Sequence, residues 1–188
     1  GDDTLQGDAG ADVMYGNAGA DTFIQTAVTG DTTGDSIYGG SEAGSSSDSD
    51  TVDYSALSTG ISLRLFDTGL TNVTVGSSVN DHQLSDIENI IGTSGNDTIE
   101  GDTQDNILDG HTGLADTISY EYTGSAVTVN LGSAINADIN FDSTINVISA
   151  TSGTSTTSGN DTLRNFDNII GSKNNDTLIG NADANTIN

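Results

Sequence analysis

The sequence predicts an all-β fold: a parallel β-roll, or β-solenoid, interrupted by irregular loop insertions. Three observations predict it. A nine-residue unit of glycine, aspartate and one large apolar residue recurs in fixed register along the 188 residues. A longer segment that includes such units is itself duplicated. Only 32% of the residues are hydrophobic, and 28 Asp and Glu stand against 3 Lys and Arg, a formal net charge of −25. So little apolar material closes a core only where each repeat is covered by the next one, as in stacked repeats.

The first block spans residues 1–52. Residues 7–15 (GDAGADVMY) and 16–24 (GNAGADTFI) are tandem units, and residues 1–6 (GDDTLQ) are the last six positions of another. Aspartate falls at position 6 (Asp3, Asp12, Asp21) and a large apolar residue at position 8 (Leu5, Met14, Phe23). After the insertion QTAVT, residues 30–38 (GDTTGDSIY) bring Asp35 and Ile37 into register, and a longer loop from Gly39 ends at Asp50 and Val52. Six residues of each unit form a turn, and three form a strand whose middle side chain points inward. Two units make a coil of about eighteen residues. Glycine at positions 1 and 4 is expected to allow positive φ and close backbone approach, and Asn174 at position 4 of a later unit also tolerates the left-handed region.

Residues 53–85 form an inserted strand and loop segment. Ile61, Leu63 and Leu65 alternate with polar residues, as in a half-buried strand. The second block, residues 86–118, carries the units GTSGNDTIE, GDTQDNILD and GHTGLADTI, which place Asp97, Asn106 and Asp116 at position 6. Residues 119–160 form a second inserted segment that repeats the first. Residues 116–131 match 50–65 at an offset of 66, pairing Tyr54 with Tyr120, and Ile61, Leu63 and Leu65 with Val127, Val129 and Leu131. The Ser-, Thr- and Asn-rich stretch 133–158 reads as a surface excursion. The third block, residues 161–188, supplies Asp176 and Asn185, and residues 163–187 match 84–108 at an offset of 79. Ile87, Ile90, Phe166 and Ile169 are expected in the core, and the tyrosines are expected to stack between coils rather than hold a ligand.

Composition excludes several chemistries. Without Cys there is neither a disulfide nor a thiolate metal site. His82 and His111 are the only histidines, and neither lies in H-E-x-x-H. There is no G-x-S-x-G elbow, and Asp48, Asp50 and Asp53 lack the spacing of an EF-hand loop. No catalytic residue is therefore assigned. Three basic residues are too few for nucleic acid, and no apolar run reaches the ~18–20 residues of a membrane helix. The chain opens at Gly1 inside a repeat and is expected to be a piece of a longer protein. Self-repulsion of the carboxylates opposes a compact fold, so a cation from outside must neutralise them.

The glycine–aspartate–apolar units resemble the RTX (repeats-in-toxin, hemolysin-type calcium-binding) family, whose consensus is G-G-x-G-x-D-x-U-x. The second glycine is usually replaced here by Asp, Asn or Ser. The resemblance implies a right-handed parallel β-roll or β-solenoid with Ca²⁺ in its turns, secreted by a type I system to the cell exterior or cell surface. Turn carbonyls and aspartates of stacked coils together supply the ~6–8 hard oxygen ligands that Ca²⁺ takes. Asp3, Asp12, Asp21, Asp35, Asp50, Asp97, Asp116 and Asp176 are the candidate ligands, whereas Asn106 and Asn185 lack the charge. Stacking is expected of Asp3 with Asp21, Asp12 with Asp35, Asp97 with Asp116, Glu88 with Asn106 and Asp167 with Asn185. The function expected is a structural calcium-binding module of a large adhesin or surface-layer protein, contacting neighbouring repeats and open to lateral self-association. The alternative is the accessory roll of a secreted protease, lipase or epimerase, and a third possibility is direct binding of glycan or ice.

Overall fold

A computed structural model describes residues 1–26, 33–40, 48–132, 145–146 and 159–188. The excursion expected at 133–158 lies almost wholly outside them, as do parts of the insertions after Ile24 and Gly40. The described residues are all strand, turn and bend, with no helix, and none of their segments is a helix long and apolar enough to cross a membrane.

Outside the inserted segments, successive strands alternate between two larger sheets, and a third sheet has two strands. The first sheet contains β1 (Thr4–Gln6), β3 (Thr22–Ile24), β5 (Thr51–Asp53), β9 (Asn89–Ile91), β11 (Ile107–Asp109) and β15 (Thr162–Arg164), all parallel neighbours in that order. The second contains β2 (Val13–Tyr15), β4 (Ser36–Tyr38) and β8 (Ser78–Ser85) in parallel, then β7 (Thr71–Val75), and then β6 (Ile61–Arg64), β10 (Thr98–Glu100), β12 (Thr117–Ser119) and β16 (Asn168–Ile170) in parallel. Only β7 runs antiparallel to its neighbours in that sheet. Both sheets are open.

Position 8 of the unit builds the core because it is the middle residue of a three-residue strand, and neighbouring strand residues face opposite ways. Leu5, Phe23, Val52, Ile90, Leu108 and Leu163 lie directly opposite one another along the first sheet. Met14, Ile37 and Leu84, and Leu63, Ile99, Ile118 and Ile169, do the same along the second. All but half-buried Leu5 are buried, and those twelve belong to one cluster with Ile87 and Phe166, against which Leu5 packs. Tyr54 and Tyr120 are fully buried in it, as expected of coil-stacking residues.

The longer duplication is also a duplication of pairing. In the first copy β5 pairs with β9, β6 pairs with β10, and antiparallel β7 lies between β6 and β8. In the second, β12 pairs with β16, β13 (Thr128–Asn130) pairs with β17 (Thr177–Ile179), and β14 (Ile145–Asn146) lies antiparallel against β15. The copies differ in placement: the first sets β6 and β7 in the second sheet, whereas the second leaves β13 and β17 as a separate two-stranded sheet and adds β14 at the end of the first.

The turns correct one expectation about glycine. Positive φ occurs at position 4, at Gly10 and Gly19 with φ near 120°, and at position 2, at Asp8 (61°), Asn17 (70°), Gly40 (97°) and His111 (64°), but at no position-1 glycine among the described residues. Position 1 is held by close approach instead, since a Cβ on Gly16 would lie 2.3 Å from Asp21 Oδ2. Replacement of the second glycine by Asp or Asn is tolerated because both visit the left-handed region with local hydrogen bonding.

Candidate metal centre

Each turn ends in its position-6 residue just before a strand, so parallel stacking sets these residues in a ladder along each sheet edge. On the first edge, the Asp3 N–H donates to Asp21 Oδ1 (2.7 Å), the Asp21 N–H to Asp50 Oδ1 (2.8 Å), and the Asp50 N–H to Glu88 Oε2 (2.8 Å). Asn106 continues it: its Nδ2 donates to the Glu88 carbonyl (2.8 Å), and its N–H to Asp161 Oδ1 (3.1 Å). On the second edge the Asp12 N–H donates to Asp35 Oδ1 (3.0 Å), and the Asp35 N–H to His82 Nδ1 (3.2 Å). Beyond the inserted strands, the Ile61 N–H donates to Asp97 Oδ1 (2.7 Å), the Asp97 N–H to Asp116 Oδ1 (2.8 Å), and the Asp116 N–H to Asp167 Oδ2 (3.0 Å). Asn185 Nδ2 donates to the Asp167 carbonyl (2.7 Å). Asp176 accepts the Val127 N–H (2.9 Å) on the edge shared by β13 and β17.

All five stacks read from the sequence are therefore in contact. The eight candidate aspartates fall into these ladders but not into one site: among the described residues no three His, Asp or Glu side chains converge closely enough to hold a metal ion between them. Any divalent ion held here must draw backbone carbonyls into its shell, as oxygen-rich Ca²⁺ sites do.

The second carboxylate oxygen is the telling atom. Asp21, Asp50 and Asp116 are at most 1% exposed, and the Oδ2 of each, like that of half-buried Asp12, accepts no hydrogen bond. A buried anionic oxygen without a donor is costly. It lies tight against the turn: a Cβ on Gly39 would be 2.3 Å from Asp50 Oδ2, and one on Gly92 2.4 Å from Asp97 Oδ2. Asp97 differs in that Thr93 caps its Oδ2 through the backbone N–H (2.7 Å). Burial pushes the carboxyls of Asp50, Asp116 and Asp161 up to about 7, with neighbouring carboxylates adding to it: Glu88 and Asp21 for Asp50, Asp97 and Asp167 for Asp116, Asp102 and Asp105 for Asp161. Glu88 is raised for the same primary reason.

The RTX calcium-binding nonapeptide repeat matches the chain in four copies, over residues 1–24, 84–113 and 165–188. These segments carry the sequence pattern of RTX calcium-binding repeats. No curated protein matched the chain. RTX nonapeptides bind Ca²⁺, with several ions spread across the repeats, and are structural rather than catalytic in themselves. The orphaned oxygens of Asp12, Asp21, Asp50 and Asp116 fit that ion, since each offers a hard anionic ligand beside a turn. The ladder also runs through Asp35, Asp50, Asp116 and Asp161, outside the matched segments.

Four ladder members were not among the candidate ligands read from the sequence. Asp161 is 1% exposed and carries the same N-D-T-apolar signal as Asp97, which the change of offset between the two copies obscured. Glu88 and Asp167 stand before the shared Asn-Ile-Ile strands, preceded by core residues Ile87 and Phe166 rather than by a glycine turn. His82 occupies the place of Asp161 at the offset of 79, and nothing in the nonapeptide pattern points to a histidine there.

Proposed function

We propose that this chain is a structural calcium-binding module, a right-handed β-roll within a large secreted bacterial RTX protein of the adhesin or surface-layer type. In this reading Asp3, Asp12, Asp21, Asp35, Asp50, Asp97, Asp116 and Asp176 contribute carboxylate ligands, joined by Glu88, Asp161 and Asp167. Turn carbonyls complete the shells. The ion supplies positive charge between coils that would otherwise repel one another, with no chemistry on a substrate. The observation that carries the reading is the set of buried aspartate oxygens that accept no hydrogen bond. Ca²⁺ sites of extracellular modules have Kd values of roughly 10⁻⁴–10⁻³ M, so the chain stays unfolded in the cytosol and folds on export as the sites fill. The duplicated long segment favours an extended structural protein over the short, regular accessory roll of an exported enzyme. In such a protein neighbouring repeats, and lateral copies, are the expected partners.

Circular dichroism during calcium titration tests this. β-structure is expected to appear cooperatively with Ca²⁺ and to vanish with chelator. Equal β-signal in chelator would overturn the reading.

A further inference from the structure

The outer face of the second sheet carries a cleft that the calcium ladders do not use. Arg64 on β6 and Glu100 on β10 are cross-strand partners, and Ser119 follows on β12. Their neighbours Leu63, Ile99 and Ile118 are in the core, so these three side chains point to the opposite face. Glu100 is 5% exposed and is fixed by the Ser119 hydroxyl (2.9 Å) and the Tyr122 N–H (3.1 Å). It stands 3.5 Å from Arg64 Nε, too poorly aligned to leave that nitrogen a hydrogen-bond partner. The guanidinium lies over two rings, 5.0 Å from the centroid of Phe66 and 4.8 Å from that of Tyr122, and Lys173 lies 5.3 Å from the Tyr122 centroid. Both rings remain substantially exposed. Between them and Asp67, Asp102 and Thr103 is a cleft of about 300 Å³, at the small end of ligand sites.

We propose that this cleft binds a neutral sugar ring. The exposed ring surfaces offer an apolar wall to the C–H face of a pyranose, and aromatic rings fixed by stacked cations lose little entropy on binding. Asp67 Oδ1 already accepts the Thr103 N–H (3.1 Å) and hydroxyl, and Asp102 Oδ1 the Gln104 N–H (2.9 Å) and Asn106 Nδ2–H (3.2 Å), so the remaining acceptor capacity of the two carboxylates takes hydroxyl donors, whereas Arg64 gives N–H donors to ring or hydroxyl oxygens. Charge decides against an acidic ligand. Glu100 already offsets Arg64, Asp67 and Asp102 outweigh Lys173, and the whole chain carries −25. A bare cation at Asp67 and Asp102 would leave the aromatic walls without a role. This inference does not rest on calcium-driven folding; the cleft meets the first ladder only at Asp102, whose Oδ1 accepts the Asn106 Nδ2–H (3.2 Å).

The test is nitrogen-15 NMR of the calcium-saturated chain titrated with glucose, galactose, mannose, N-acetylglucosamine and maltose, with glucuronate as the acidic comparison. At least one neutral sugar is expected to shift the amides of residues 65–67 and 122–124 saturably at millimolar concentration. Tyr122→Ala is expected to weaken that binding about tenfold and to leave the calcium-induced dichroism unchanged, because the side chain is outside the core. The proposal is overturned if no neutral sugar shifts these amides, if glucuronate binds more tightly than glucose, or if Tyr122→Ala binds as the parent does.

Discussion

At Tyr54 and Tyr120 the two copies of the long segment differ by one hydrogen bond. Both rings are fully buried. The Tyr120 hydroxyl donates to Asp161 Oδ2 (2.9 Å), whereas the Tyr54 hydroxyl has no partner and its ring meets His82 edge-on, with centroids 5.7 Å apart. Tyr120→Phe is therefore expected to cost about 1–3 kcal/mol, because it strands a buried carboxylate oxygen, and Tyr54→Phe to be neutral or slightly stabilising. Chemical denaturation at saturating Ca²⁺ reads both, and equal losses would contradict the assignment. The acid–base prediction also belongs to single residues. Asp50, Asp116 and Asp161 rise from 3.8 to about 7 on folding without metal. A raised carboxyl pKa means that the folded chain binds protons more tightly. The associated stability is complete below about pH 4 and is lost as the pH rises through about 7. Ca²⁺ reverses the trend, since it competes with those protons: its apparent affinity is expected to be clearly tighter at about pH 7.5 than at about pH 5.5. Isothermal titration in two buffers of different ionisation enthalpy would show the protons released; a pH-independent midpoint would count against buried carboxylates as ligands.

On the scale of strands and turns, the sequence made the inward rows readable because position 8 has one large apolar residue per unit and no competing pattern. Leu108 sits mid-row in the first sheet between Ile90 and Leu163, with no exposure. Leu108→Ala is expected to cost about 2–5 kcal/mol, and Leu178→Ala, only half-buried, distinctly less; denaturation midpoints at fixed Ca²⁺ compare them. Gly16→Ala tests the turn. A new Cβ would press on Asp21 Oδ2 at 2.3 Å and the Gly39 carbonyl at 2.7 Å, so calcium affinity is expected to fall before the strands are lost. What stayed unreadable has physical reasons. The run T-N-V-T-V of β7 announces a strand, but strand direction is a property of the partner and leaves no mark on one sequence. Spacing placed Glu88 and Asp167 in their stacks but did not mark them as ligands, because they follow core residues where the pattern has a glycine turn. Positive φ at position 2 was hidden because Asp8, Asn17 and His111 stand where the consensus has glycine, and Asp and Asn at such a point also read as ordinary turn residues.

For the molecule as a whole, a net charge of −25 sets the terms. Monovalent salt screens that charge beyond about 10 Å at 0.1 M, but it fills no ligand shell. Added sodium chloride is therefore expected to restore little of the ordered structure that chelator removes, and equal rescue by the two salts would mean that general screening suffices. The pairing of the two long copies has an architectural outcome. The first copy sets β5 beside β9 in the first sheet, and the second sets their counterparts β12 and β16 side by side in the second sheet. A residue at one place in the duplicated segment is thereby turned to the opposite sheet in the next copy.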